Sequence, residues 1–406
     1  MKIGYIASHI YRHTFEINEV GELLKRRPET RVYSFHPHSG GDIQSDRLSG
    51  LPADVLDCTP KAVLQGLARL AVRHPVKLLG AAVELGLRSL PNPVYWFKNG
   101  AAFLIAMPIL DDARRHGVDH LHANFGSSPA TVAWLGKRVL GTGMSVTYHA
   151  FDIYYEGLRH RDPLKRRKLR DADLVVAVHR HGLDHLRSLV PSVDGGKFRV
   201  IRISVSLDSI PANAPGKGGG SPLLVAAGNL IPKKGFDVLV RAAAVLAREG
   251  VDVRVRILGD GPERSNLESL AAAEGVMDRV ELPGFCQHPE LAAHLSEALA
   301  LVMPSRVASG GMQDGIPTVV VEAWLARVPV VASLVGGMSE VIEEGRTGLV
   351  FEPGDADGLA RRIKDLLESE ELRAGVAARG AETAVEEFSP ERNVEKLLIA
   401  IDSAGP

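Results

Sequence analysis

The sequence predicts an α/β protein of two successive doubly wound domains, each with a parallel sheet. Three observations carry this. Short apolar runs alternate with longer stretches of helical period almost from end to end, which is the pattern of βαβ units whose helices cover both faces of a sheet. A Gly/Pro-rich stretch at 211–222 breaks the alternation near the middle, and the alternation restarts beyond it. The length, 406 residues, suits two domains of ordinary size.

In the first half, residues 3–7, 32–35, 120–125, 145–149, 174–178 and 200–205 read as strands, with helical period at 17–26 and 129–140. In the second half the expected strands are 223–227, 253–258, 280–282, 299–303, 328–332 and 349–351. The expected helices there are 236–248, 263–274, 289–297, 318–325 and 357–368. This gives a first domain over 1–206, a linker over 207–222 and a second domain over 223–388. Residues 389–406 carry Val394, Leu397, Leu398 and Ile401 at helical spacing. That helix either caps the second domain or crosses back to the first. Doubly wound sheets bind ligands at the carboxyl ends of their strands, so the two domains are expected to face across a cleft.

Composition narrows the class. With 48 Lys+Arg against 49 Asp+Glu the formal net charge is -1, and no global field points to nucleic acid. The 2 cysteines, Cys58 and Cys286, lie far apart, which argues against a disulfide framework or a zinc cluster and fits a reducing compartment. The first residues read as a strand rather than a secretion signal. The longest apolar run, 101–110, contains Pro108 and is far short of the roughly 18 residues a spanning helix needs. A cytoplasmic protein is expected, resting at most on the inner face of a membrane.

Chemistry concentrates between Pro304 and Gly337. Asp314 and Glu322 are separated by seven intervening residues that include Gly315 and Pro317, at the start of the expected helix 318–325. The N–H groups of Gly315, Ile316 and Thr318 at such a helix start suit a diphosphate. Asp314 can accept from sugar hydroxyls and Glu322 from a ribose. Spacing alone fits equally a helix-capping acid and a solvated glutamate. The loop Gly228-Asn229-Leu230-Ile231-Pro232-Lys233-Lys234-Gly235 runs from a strand to a helix, where its lysines can meet a phosphate or merely solvate a surface.

Taken together, the two segments resemble the retaining family 4 glycosyltransferases of the GT-B fold. Gly228-Asn229-Leu230 with Lys234-Gly235 fills the family's G-R-L…K-G loop, and Asp314-Gly315-Ile316-Pro317…Glu322-Ala323 fills its acidic-G-x-x…E helix. The run Pro329-Val330-Val331-Ala332-Ser333, then Gly336-Gly337 and Glu340, matches further landmarks, as do Gly259-Asp260-Gly261-Pro262 and Leu282-Pro283-Gly284-Phe285. The resemblance spans 223–353. It implies that Lys234 neutralises the donor diphosphate, Glu322 binds the ribose and Asp314 the transferred sugar. It also implies that backbone around Phe285, Cys286 and Gln287 lines the base pocket. Two departures stand out. Asn229 replaces the usual arginine, with Arg306 or Lys233 as candidate substitutes, and Asp314 is one methylene shorter than the usual glutamate.

In the first half, Tyr148-His149-Ala150-Phe151-Asp152 is similar to the family's H-G-x-D motif, with Ala150 for glycine. It implies a catalytic His149 that contacts the donor sugar and an Asp152 that shapes the loop. His122 and Asn124 alternate on one strand face, and His13 and Thr14 follow the first strand; these are candidates for the acceptor or sugar side. His122 lacks the further ligands a metal would need. Two basic stretches remain. Residues 61–98 hold Lys61, Arg69, Arg73, Lys77, Arg88 and Lys98 against Glu84, followed by Trp96 and Phe97 within an apolar region. Residues 159–170 hold seven Lys/Arg and Asp162. Either is a solvated helix face, or a surface for an anionic membrane or a phosphate-bearing acceptor.

The expected reaction is retaining transfer of a hexosyl group from a UDP- or GDP-sugar. The acceptor is a saccharide or polyprenyl-linked saccharide, in polysaccharide, O-antigen or glycolipid assembly. His149, Asp314 and Lys234 are the catalytic candidates, with no cofactor or metal required. The alternatives are a nucleotide-sugar epimerase of the same architecture and a non-catalytic nucleotide- or carbohydrate-binding protein. A dinucleotide oxidoreductase is disfavoured, because no G-x-G-x-x-G follows a strand.

Overall fold

The computed structural model describes residues 1–8, 14–35, 59–155, 162–206 and 220–405. It divides into two compact units, Met1–Ser204 with Pro390–Pro406, and Val205–Ser389.

The first unit holds β1 (Ile3–Ala7), β2 (Arg31–Ser34), β3 (His120–Asn124), β4 (Gly143–Tyr148), β5 (Leu174–Ala177) and β6 (Phe198–Val200). They form one parallel sheet in the order β2-β1-β3-β4-β5-β6. Every residue of β1, β3, β4 and β5 is buried, as a sheet covered on both faces requires. The strand expected at 200–205 is not formed. Its alternating apolar pattern is that of a strand, but side-chain amides take its carbonyls. Asn393 donates to Ile203 O at 3.3 Å and Asn18 to Ser204 O at 3.1 Å.

Among the described residues, three helices lie between β2 and β3: Pro60–Arg73, Pro75–Ser89 and Pro93–His116. Each begins with proline, where the missing N–H costs nothing. Gly66 lets the first cross the third closely, since a Cβ there would lie 2.6 Å from the Met107 carbonyl. The apolar run 101–110 is the middle of the third helix, buried along Ala102, Ala106, Ile109 and Leu110. The terminal helix Pro390–Ala404 packs Val394, Leu397, Leu398 and Ile401 into a cluster with Ile3, Tyr5, Ile17, Val20 and Leu23 of the first unit.

The second unit holds β7 (Leu223–Ala227), β8 (Arg254–Leu258), β9 (Val280–Gly284), β10 (Ala298–Met303), β11 (Val330–Ser333) and β12 (Leu349–Phe351). The sheet is parallel in the order β12-β11-β10-β7-β8-β9. Helices Phe236–Arg248 and Thr318–Leu325 stand where periodicity puts them. Each sheet reverses its strand order once, between β1 and β3 in the first and between β7 and β10 in the second. At such a point neighbouring loops diverge to opposite faces and open a crevice at the carboxyl ends of the strands.

Candidate active site

In the second unit the loops leaving β7 and β10 meet at that reversal. The β7 loop turns at Gly228 (φ 149°) and re-enters helix through Gly235 (φ 63°). A Cβ on Gly235 would sit 1.9 Å from the Pro304 carbonyl, so glycine alone lets the lysine loop lie against the chain leaving β10. Two ammonium groups thereby reach one carboxylate. Lys233 Nζ is 2.8 Å from Asp314 Oδ1, and Lys234 Nζ is 2.9 Å from Asp314 Oδ2. Ser305 Oγ donates to the same Oδ2 at 3.2 Å, and the Ser333 hydroxyl donates to the Ser305 carbonyl. Asp314 is only 6% exposed. Burial pushes its pKa up, but Lys234 and Lys233 outweigh burial and hold the carboxyl below its ordinary range.

The glycine pair supports this loop from below. A Cβ on Gly336 (φ 60°) would lie 2.0 Å from the Asp314 carbonyl, and one on Gly337 2.9 Å from the Gly315 backbone. Helix Thr318–Leu325 then starts at Pro317, which is its cap residue rather than its first turn, and no side chain caps it. Its partial positive end therefore follows within a few residues of Asp314, the carboxylate that both lysines reach. Glu322 is buried on its second turn. Burial, then the carboxylates of Glu290 and Glu322, raise the pKa of the Cys286 thiol. Phe285 is 61% exposed, and Gln287 N–H donates to Glu290 at 2.7 Å. Asn229 is exposed. Gly259 and Gly261 let the β8 loop pass under the 228–230 turn, where a Cβ would meet the Gly228 carbonyl at 2.0 Å and the Leu230 carbonyl at 2.5 Å.

Of the two substitutes for the missing arginine, Arg306 is committed elsewhere. Its guanidinium pairs with Asp237 at 3.1 Å and donates to the Pro232 carbonyl at 2.8 Å, and its N–H donates to the Lys233 carbonyl. It braces the lysine loop. Lys233 instead shares Asp314 with Lys234.

In the first unit the reversal between β1 and β3 assembles a different group. His149, at the end of β4, is 8% exposed and packs against the rings of Phe15 and Phe125, at centroid distances of 4.9 and 4.4 Å. Its Nε2 lies 2.5 Å from Asn124 Oδ1. Asn124 Nδ2 donates to Tyr5 Oη at 2.6 Å, and Tyr5 donates to Glu19 Oε1 at 2.9 Å. With Asn124 Oδ1 as acceptor, His149 carries its proton on Nε2. Burial raises Glu19 to a pKa of about 7, and burial followed by the charges of Glu19 and Asp152 raises Glu16 well above the usual range. Asp152 Oδ2 accepts from Gly126 N–H at 2.8 Å and His149 N–H at 3.4 Å, tying the β3 and β4 loops together.

Several expectations are corrected here. His122 is fully buried, its Nδ1 2.8 Å from Ser145 Oγ, and burial lowers its pKa to about 3. It is a neutral core residue rather than an acceptor-side group. Asn124 is buried too and acts on His149. Thr14 opens helix Thr14–Arg26, while His13 lies outside the described residues, as does Cys58. In the described part of the basic run 159–170, Arg166 and Arg170 are exposed while two lysines turn inward. Lys168 is buried against Asp162 at 2.7 Å and donates to Gly126 O at 2.7 Å, and Lys165 donates to Asp152 O. Among the described residues, no three His, Cys, Asp or Glu side chains gather as metal ligands. Tyr5, Glu19, Phe15, Phe125, Ser305 and Lys168 were missed. Their signal, a polar or aromatic residue inside an apolar run, does not reveal its partner across the sheet.

Residues 66–209 match the model described as Glycosyltransferase Family 4, and residues 212–383 match Glycosyl transferases group 1. A protein of Salmonella typhimurium assigned to colanic acid biosynthesis as glycosyltransferase WcaL is 30% identical over 287 residues, 69% of this chain and 70% of that protein. A GDP-mannose-dependent alpha-(1-6)-phosphatidylinositol monomannoside mannosyltransferase of Mycolicibacterium smegmatis is 27% identical over 67% of this chain and 73% of its own. Among solved structures, Anabaena Alr3699/HepE in complex with UDP and glucose superposes with a TM-score of 0.73 at 17% identity, covering 99% of this chain and 100% of that one. That likeness extends over both units and identifies the fold as GT-B.

Proposed function

We propose, from the premise that this chain belongs to glycosyltransferase family 4, that it is a retaining hexosyltransferase using a UDP- or GDP-sugar. The acceptor is a hydroxyl of a saccharide or lipid-linked saccharide, in polysaccharide, O-antigen or glycolipid assembly. The WcaL and mannosyltransferase relatives, and the UDP held by HepE, support this reading. The bond from the anomeric carbon to the diphosphate breaks as the acceptor oxygen bonds to the same face of the sugar. The hydroxyl proton leaves with the nucleotide diphosphate.

One observation carries the reading: two lysines converge on Asp314, which leads within a few residues into an uncapped helix start. Opposite charges already in place around a crevice cost little reorganisation when a diphosphate departs. Lys234 would exchange its Asp314 contact for the diphosphate, Asp314 would turn to the sugar hydroxyls, and Glu322 would take the ribose. His149 would contact the sugar. The test is a panel of UDP- and GDP-sugars scored by thermal shift, then by acceptor-dependent release of nucleotide diphosphate, with the product anomer read by NMR. Stabilisation by one donor and a product of the donor's own anomeric configuration are expected. Absence of any donor effect, or an inverted product, overturns the proposal.

A further inference from the structure

The helices between β2 and β3 present an apolar surface that the other described residues leave uncovered. Helix Pro75–Ser89 carries two stripes. Leu78, Ala81 and Leu85 are buried against the unit. On the opposite face Val76, Leu79, Val83, Leu87 and, just past the helix end, Leu90 repeat at spacings of three and four and stand in solvent, Val76 at 82% exposure. A helix needs one apolar stripe to pack, so the second has another use. The helix from Pro93 continues the pattern outward with Val94, Phe97 and Leu104, and Trp96 packs edge-on to Phe97 at 5.3 Å.

Charge identifies the occupant. Between residues 60 and 100 the sequence holds Lys61, Arg69, Arg73, Lys77, Arg88 and Lys98 and one acid, Glu84. Glu84 is itself held by Arg88, Arg138 and Arg167. A second copy of the chain across a two-fold axis would set this basic patch against itself. An anionic bilayer matches every feature: aliphatic stripes for the acyl boundary, a tryptophan for the interface and cations for the headgroups. No helix among the described residues is long and apolar enough to cross a membrane, so the contact would be peripheral.

We propose that the exposed face of helices Pro75–Ser89 and Pro93–His116, with Trp96 and Phe97 at its edge, docks this protein onto an anionic lipid surface. The protein carries its own reporter. Of its 3 tryptophans, Trp134 and Trp324 are fully buried, so a change in emission on adding vesicles reads Trp96. The full-length chain, without substrate, is mixed with phosphatidylcholine vesicles, with or without a third of phosphatidylglycerol. Expected are co-flotation and a blue shift with the anionic vesicles only, both weakening as salt is raised. Lys77→Glu should lower partitioning by fivefold or more, about the effect of one cation at such a surface. Leu79→Glu with Val83→Glu should abolish it while thermal melts stay unchanged. No flotation and no shift at low salt overturns the proposal. So does a dimer that the same Leu79→Glu, Val83→Glu variant dissociates, seen by sedimentation. Because binding is read without turnover, failure here leaves the transferase reading untouched, and the reverse holds.

Discussion

In the second unit Asp314 lies beneath two ammonium groups and stays ionised below the ordinary carboxylate range. In the first unit Glu16 and Glu19 are buried at the corresponding strand-order reversal, and the charges that act on Glu16 are carboxylates of its own sign. One fold thus treats buried acids in opposite ways. Where a cation is available, charge is kept and can be used against a second charged group. Where no cation among the described residues is paired with it, burial favours the protonated acid, and only Glu19 has a hydrogen bond, from Tyr5. The first arrangement suits a diphosphate, and the second suits an uncharged sugar or a hydroxyl.

The comparison breaks most sharply at Lys234. Lys234→Ala removes the ammonium assigned to the leaving diphosphate and should lower kcat/KM by about 100- to 1,000-fold, the scale of losing one preorganised charge-stabilising group. The Asp314 carboxyl should also titrate nearer its usual range, which difference titration with Asp314→Asn reads. An unchanged kcat/KM would place the diphosphate elsewhere. The next largest effect is on stability. Gly235→Ala must move the Pro304 carbonyl out of a 1.9 Å contact and hold alanine at φ 63°. A loss of about 2–4 kcal/mol in urea unfolding is expected. A loss under half a kilocalorie would mean that the loop has an alternative path.

Much of the second unit's site is legible in the sequence because its parts are local. The G-N-L…K-G loop, the Asp314–Glu322 segment and the glycine pair each declare a backbone conformation, and the sheet needs only to bring them together. The pairing of Arg306 with Asp237, on a different element, is not announced by any spacing in the chain. The first unit reads less well. Tyr5, Asn124, His149 and Glu19 come from β1, β3, the end of β4 and helix Thr14–Arg26, and no spacing in the chain announces that they touch. His122 resembles Asn124 in the strand pattern, yet Ser145 on the neighbouring strand takes it into the core.

The hydrogen-bond series is the place to sharpen the contrast. Tyr5→Phe leaves the Asn124 amide and the Glu19 carboxyl without their shared partner, which should cost about 1–3 kcal/mol of stability. It should also loosen the Nε2 tautomer of His149, visible in its imidazole nitrogen shifts. A merely structural tyrosine would alter stability and leave those shifts in place.

The smallest and most specific effect lies in pH. Glu19 has a pKa of about 7 in the folded protein, against 4.5 ordinarily. The folded state therefore keeps a proton that the unfolded state has lost. The stability this gives is fully present below pH 4.5, declines as pH rises through about 7, and is absent above it, with a span of about 3 kcal/mol. Glu19→Gln keeps an acceptor for Tyr5 and cannot titrate, so the variant's stability should fall less steeply between pH 4.5 and 7, the remainder coming from Glu16. Protonation also changes direction in the series. Ionised Glu19 only accepts, and Tyr5, Asn124 and His149 then donate in turn toward it. A protonated carboxyl can donate to Tyr5, and with the Asn124 amide turned over the order reverses as far as His149. Thermal melts of both proteins across that pH range, paired with His149 nitrogen shifts, decide the matter. Equal slopes would show that Glu19 stays ionised throughout and that the two units treat their acids alike.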